Sequence, residues 1–87
     1  MAEMTPRRQR RIETFEQYAN ELRAFADRQA ERSTHPGSMD HIVLPAREAA
    51  DIASRTAAAY LCGDADSGDA LADAFVDFKA KHSFLPG

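Results

Sequence analysis

Several groups of side chains in this sequence have the types and spacing to do chemistry. Arg7, Arg8, Arg10 and Arg11 form the run RRQRR. Planar guanidinium groups grip phosphates through paired hydrogen bonds and stack on bases, and a helix can carry them into a groove. The plainer reading of the same run is a solvated basic end, or pairing with acidic residues of the chain or of a second subunit. Asp69, Asp73 and Asp77 recur at four-residue steps, with Asp64 and Asp66 upstream. Such a row can dock a basic partner, mimic the phosphates of a nucleic acid or hold a divalent cation weakly. It can equally be the solvated face of a helix with a capping turn before it.

Other candidates are weaker. GDADSGD has the acidic spacing of a calcium loop but lacks the downstream bidentate glutamate and the ligand order. His35, His41, His82 and Cys62 do not show the close paired spacing of a zinc site. No acid or amide orienter and no oxyanion site accompanies Cys62, so neither a metal, a cofactor nor a catalytic residue is assigned. Phe15, Tyr18, Phe25, Tyr60, Phe75 and Phe78 are the types that build stacking platforms and ligand pockets. Every small helical core also uses them, so most are expected in packing. Tyr18, Phe25 and Val76, which lie off the centres of their stripes, are assigned to a subunit or partner surface.

These groups depend on helices for their placement. The stretch from Pro45 to Cys62, PAREAADIASRTAAAYLC, sets Ala46, Ala49, Ala50, Ala53, Ala57, Tyr60 and Leu61 on one broad side at about 100° per residue. That side is wider than a single neighbour needs. The spacing predicts a central helix lying between two others, whose backbones the small residues admit closely. Before it, Thr5 and Pro6 read as a cap and a first helical residue. Ile12, Phe15, Ala19, Leu22 and Ala26 then mark the stripe of a long helix. The same wheel puts Arg7, Arg8 and Arg11 on the apolar side but beyond the end of the core, pointing to solvent, an acidic neighbour or a phosphate. STHPGS, residues 33–38, reads as a turn. Residues 39–44 read as a turn or bent start laying Ile42, Val43 and Leu44 over the end of the core, because Pro45 would clash with the carbonyl of His41 in a continuous helix. Gly63 is expected to end the central helix, and Ser67 or Asp66 to cap the third. Leu71, Ala74, Phe75, Phe78 and His82 form the inner stripe of that third helix, with Phe84 and Leu85 available below it.

The expected fold is therefore all-α, a three-helix bundle or helical dimer forming a single domain over 1–87. Helices are predicted at about 6–32, 45–62 and 68–82, with residues 1–5 frayed. The hydrophobic content of 44% is largely alanine and includes no Trp. A chain of 87 residues with so few large apolar side chains has a thin core, which favours self-association. One cysteine excludes an internal disulfide framework and suits a reducing compartment. No apolar run approaches the roughly 18 residues of a membrane span, and the first residues do not read as a signal peptide, so the location expected is cytoplasmic, without a membrane partner. The net charge is −3 and argues against a general polyanion binder. It is unevenly placed, since the arginine run opposes the aspartates near the other end. The function expected is a non-enzymatic protein-interaction or regulatory module, working as a homodimer and binding another protein. Its surface would include Arg7, Arg8, Arg11, Tyr18, Phe25, Asp69, Asp73, Val76 and Asp77. The alternative is an RNA- or DNA-binding protein, because RRQRR looks like a short arginine-rich nucleic-acid-binding motif.

Overall fold

The computed structural model describes residues 5–32 and 39–86. Among these residues the chain is all-helical. Its α-helices are α1 (Pro6–Arg32), α2 (Leu44–Leu61) and α3 (Ala65–Lys81), and a wide π-helical turn, Met39–Val43, leads into α2. The turn expected at residues 33–38, with His35, lies outside the described residues, as do the side chains of Met39 and Asp40. Among the described residues no helix is long and apolar enough to cross a membrane.

Helix α1 starts as its sequence predicts. The Thr5 hydroxyl accepts a hydrogen bond from the Arg8 amide at 3.1 Å, satisfying one of the amides left open in a first turn, and Pro6 is the first helical residue. Its buried stripe is Ile12, Ala19, Leu22 and Ala26. Helix α2 packs against both α1 and α3, whereas the backbones of α1 and α3 hardly approach each other. Ala46, Ala49, Ala50 and Ala53 of α2 are at most 1% exposed. Methyl side chains allow this because they hold neighbouring backbones off so little. Thr56 is fully buried beside them. Its hydroxyl donates to the Ile52 carbonyl one turn earlier, at 2.8 Å, so a polar residue sits in the core without an unmet hydrogen bond.

The entry to α2 is a bent start, as expected, with regular helix beginning at Leu44, one residue before the predicted position. The backbone is already helical at Val43, and the preceding turn is widened to π geometry. A wider turn relieves the collision between a proline ring and the carbonyl four residues earlier. Val43 is fully buried and Ile42 half-buried, as expected, but Leu44 is 51% exposed because it lies on the side of α2 opposite the alanines. Leu61 is also exposed, at 59%; it stands at the edge of the apolar side and is the last residue of α2.

Gly63 closes α2 as predicted. Its φ is 88°, in the region that favours glycine. Gly63 N–H donates to the Tyr60 carbonyl at 3.1 Å, and Asp64 N–H to the Ala59 carbonyl at 2.9 Å, the paired bonds of a Schellman ending. The third helix starts earlier than predicted, at Ala65 rather than 68, and neither Asp66 nor Ser67 is its cap. Asp64 is the cap, accepting from the Ser67 amide at 3.1 Å. Hydrogen bonds from Ser67, through its hydroxyl and then its backbone amide, hold the Asp64 carboxyl below the usual carboxylate range. The early start places Gly68 inside the helix, buried against the ring of Tyr60. Phe75 is the buried centre of α3, while Leu71, Phe78 and His82 are half-buried and Ala74 is exposed, outside the inner stripe predicted for it. Below α3, Leu85 is 7% exposed and covers the core, whereas Phe84 stays 44% exposed. The His82 ring stacks on Phe78 with centroids 4.3 Å apart.

Candidate functional site

Cross-contacts fix how the helices run. Arg8 and Ile12, near the start of α1, meet Ala57 and Tyr60 near the end of α2, so these two helices are antiparallel. Tyr60 in turn meets Gly68 and Asp69 near the start of α3. Helices α1 and α3 are therefore parallel, side by side on α2, and their facing residues stay level. Arg11 meets Asp69, Phe15 meets Phe75, and Tyr18 lies beneath Lys79.

At one end of this seam a polar cluster surrounds Tyr60. The Arg8 Nε–H donates to the Tyr60 carbonyl at 2.6 Å, placing a cation at the negative end of α2. The Tyr60 hydroxyl donates to Asp69 Oδ1 at 2.5 Å and accepts from an Arg11 amino group at 3.1 Å. Arg11 completes the triangle by reaching Asp69 at 3.2 Å. The Tyr60 ring is 4% exposed. Burial, and next the hydrogen bond to Asp69, push its hydroxyl above the usual tyrosine value; Arg11 works in the opposite direction but does not prevail. Arg7 lies at the surface beside this cluster, where Thr5, Arg7, Arg8, Tyr60, Ala65 and Asp69 line a depression of about 210 Å³.

Along the middle of the seam the wall is aromatic. Phe15 and Tyr18 of α1 meet Phe75 of α3 with centroids 5.6 and 5.5 Å apart, the first edge-on and the second stacked. The Lys79 ammonium stands over Tyr18 and Phe75, 5.3 and 5.6 Å from the ring centres, a favourable placement for a cation. Thr14 and Val76 complete an open groove of about 320 Å³, and Val76 is 65% exposed on its rim. Between this groove and the Tyr60 cluster, Ala72 and Asp73 border a second hollow of about 510 Å³, shared with Arg11, Phe15, Tyr60 and Asp69.

The residues singled out in the sequence thus divide. Arg7, Arg8, Arg11 and Asp69 gather at the Tyr60 end; Asp73 lies just along from them, and Tyr18 and Val76 line the groove. Asp77 stands apart on the solvent side and pairs with Lys81 at 3.3 Å. Phe25 is half-buried and packs on the main core. Arg10 is exposed, as are His41 and Cys62. Gly68 and Lys79 are the members that periodicity misses, and for Tyr60, which it sets on the apolar side of α2, it misses the polar partners. Tyr60 and Gly68 are eight residues apart and meet only because the chain reverses at Gly63; Lys79 is one of two lysines in a helix whose pattern drew attention to aspartates. A further cleft on the α1–α2 side, lined by Arg23, Asp27, Arg47 and Asp51, holds opposite charges, with Arg47 and Asp27 at 3.9 Å and Asp51 paired to Arg55 at 3.0 Å.

Among the described residues no group of three or more His, Cys, Asp or Glu is placed to hold a metal ion. No protein-family model, curated protein or solved structure matches this chain.

Proposed function

We propose that this chain is a small non-enzymatic protein-interaction or regulatory module, acting as a homodimer through the exposed faces of α1 and α3. In this reading the three helices form a bundle with an alanine-rich centre, left open on one side, and a second subunit covers that side. The observation that carries it is the groove between α1 and α3, where aromatic walls and the exposed Val76 offer apolar surface that one chain leaves in water. Burial of apolar surface contributes roughly 25 cal/mol per Å², and a thin core gives this chain more to gain from such burial than a large one would have.

Nucleic-acid binding through RRQRR is less well supported, because Arg8 and Arg11 are turned to Tyr60 and Asp69. A guanidinium engaged on a carbonyl or a carboxylate must leave it before it grips a phosphate. Arg7 and Arg10 stay on the surface, but two cations on a chain of net charge −3 make a small footprint for a polyanion.

Sedimentation of the unmodified protein across the micromolar range tests the reading. The expected mass is that of a dimer, and Val76→Asp should return it to monomer with its helical circular dichroism intact. Monomer alone at high micromolar concentration overturns the homodimer, and retention of mixed RNA or DNA on a filter at low salt would favour the other function.

A further inference from the structure

The groove has a charge pattern as well as an apolar floor, and that pattern identifies what fits it. On α1 the groove and the hollows beside it are lined by Arg7, Arg11, Thr14 and Tyr18, with exposed Arg10 about a turn before Thr14 and exposed Glu21 about a turn beyond Tyr18. On α3 the corresponding face reads Asp69 and Asp73, then Val76, then Lys79. Because the two helices are parallel and level, the basic end of one lies beside the acidic end of the other. The apolar middles coincide, and Glu21 comes near the level of Lys79. Within a single chain Arg11 already meets Asp69 in this way.

The geometry points to a second copy of this chain seated on the groove, related by a two-fold axis that runs along the helices, so that α1 of each subunit lies on α3 of the other. This rests on the homodimer proposed above and goes further, to its arrangement. Such an axis keeps every residue at its own height. It sets Arg10 of one subunit level with Asp69 of the other and about one turn from Asp73, within reach of a long arginine side chain, with Tyr18 opposite Val76 and Glu21 opposite Lys79, each twice by symmetry. An axis across the helices does the reverse. It lays α1 on α1 and α3 on α3 end for end, and takes Arg7 and Arg10 away from the acidic end of the partner. Unlike charges along a rim fix register and exclude other pairings even where they add little affinity. The apolar middle, with Val76 entering beside Tyr18 and Phe75, supplies the burial.

The arrangement is tested by exchanging charges at two exposed positions outside the Tyr60 cluster, Arg10 and Asp73. Asp73→Arg alone places like charges at both symmetric contacts, and so does Arg10→Asp alone. Each should weaken its own homodimer by about tenfold or more at low salt. Mixing the two variants in equal amounts makes both contacts complementary again, one with its original signs and one with them exchanged, and dimer should return to within about threefold of the unmodified protein. The combined variant carrying both changes should likewise self-associate. Circular dichroism of each single variant checks that its helices are formed, as expected for exposed positions. If the unmodified protein dimerises and Val76→Asp abolishes the dimer, yet mixing gives no recovery, the axis along the helices is wrong and the homodimer stands. If the unmodified protein is only monomeric, both fall.

Discussion

The two ends of the α2 helix are held by different physics. Towards its start, Ala46, Ala49, Ala50 and Ala53 pack with Leu22, Val43 and Phe75 in the larger core cluster, which is held by close contact and by removal of apolar surface from water. Towards its finish the smaller cluster is Ile12, Ala57 and Tyr60, and there the buried ring carries a hydroxyl tied to a carboxylate and a guanidinium. The first region tolerates no growth, because methyl groups set the distance between helices. The second is packed tightly where Gly68 meets the Tyr60 ring, with Ile12 and Ala57 buried alongside. Elsewhere it depends on hydrogen bonds whose outer partners are half in water, since the Asp69 and Arg11 side chains are 61% and 51% exposed. A dry core is therefore sensitive to volume, and a polar latch at its edge is sensitive to charge and pH.

The largest effect should come from growth in the alanine region. Ala53 is fully buried, and Ala53→Leu should push α1 and α3 away from α2, with overpacking typically costing about 1 to 3 kcal/mol. Ala58 of the same helix is exposed, and Ala58→Leu should be nearly neutral. Equal melting temperatures for the two variants would show that the packed face of α2 has been misassigned.

An intermediate effect is expected where the latch is tight. A Cβ on Gly68 would lie 2.7 Å from Cε1 of Tyr60, with Cδ1 and Cζ close behind, and this ring is itself buried and hydrogen-bonded. Gly68→Ala gains up to about 1 kcal/mol of helix propensity and loses more to the collision, for a net destabilisation of about 1 kcal/mol. Urea denaturation should show a lower midpoint. A higher midpoint would mean that the ring yields freely and that the latch is not tightly packed.

The smallest effect belongs to the hydroxyl. Tyr60→Phe keeps the ring and removes two hydrogen bonds, and the exposed sides of Asp69 and Arg11 can turn to water instead. The expected loss near neutral pH is about 1 kcal/mol. The pH dependence sharpens the comparison. Because the folded state raises the Tyr60 pKa, the stabilisation it contributes is complete below the usual tyrosine value of about 10 and is lost as pH rises through the folded value. The difference between the unmodified protein and Tyr60→Phe should therefore narrow above about pH 10. A difference that stays constant through that range would place the stabilisation in the ring's packing and not in its hydroxyl.

Much of this fold follows from local pattern. The steps of three and four residues from Ile12 to Ala26, the Thr5 and Pro6 start and the Gly63 ending each depend on neighbours within about a turn, and each is found where periodicity and capping chemistry put it. The alanine side of α2 is likewise visible, because residues with nothing beyond a methyl group on one face of a helix allow close approach on that face. What a wheel leaves out is where neighbouring helices stop. Leu61, the last residue of α2, is apolar and exposed for that reason, whereas Leu44 is exposed because it lies opposite the alanines, which the wheel does show.

The arrangement of the candidate surface was a tertiary decision. RRQRR by itself states only that four guanidinium groups are close together. The reversal at Gly63 brings Tyr60 and Asp69 to the same corner, and α1 then lays Arg8 on a helix-ending carbonyl and Arg11 on the tyrosine and the carboxylate. Pro45 shows the same limit on a smaller scale. The collision with the His41 carbonyl is legible in the sequence, but a chain can meet it by ending the helix or by widening the turn. In the folded chain the wide turn is the one formed, with Val43 fully buried at its end. Residue type and spacing determined the helices, their inward faces and most of their ends, because those depend on short-range sterics and hydrogen bonding. Which charges meet, and which apolar side chains remain on the rim of a groove, depends on how far apart α1 and α3 sit on α2, and only the packed structure sets that distance.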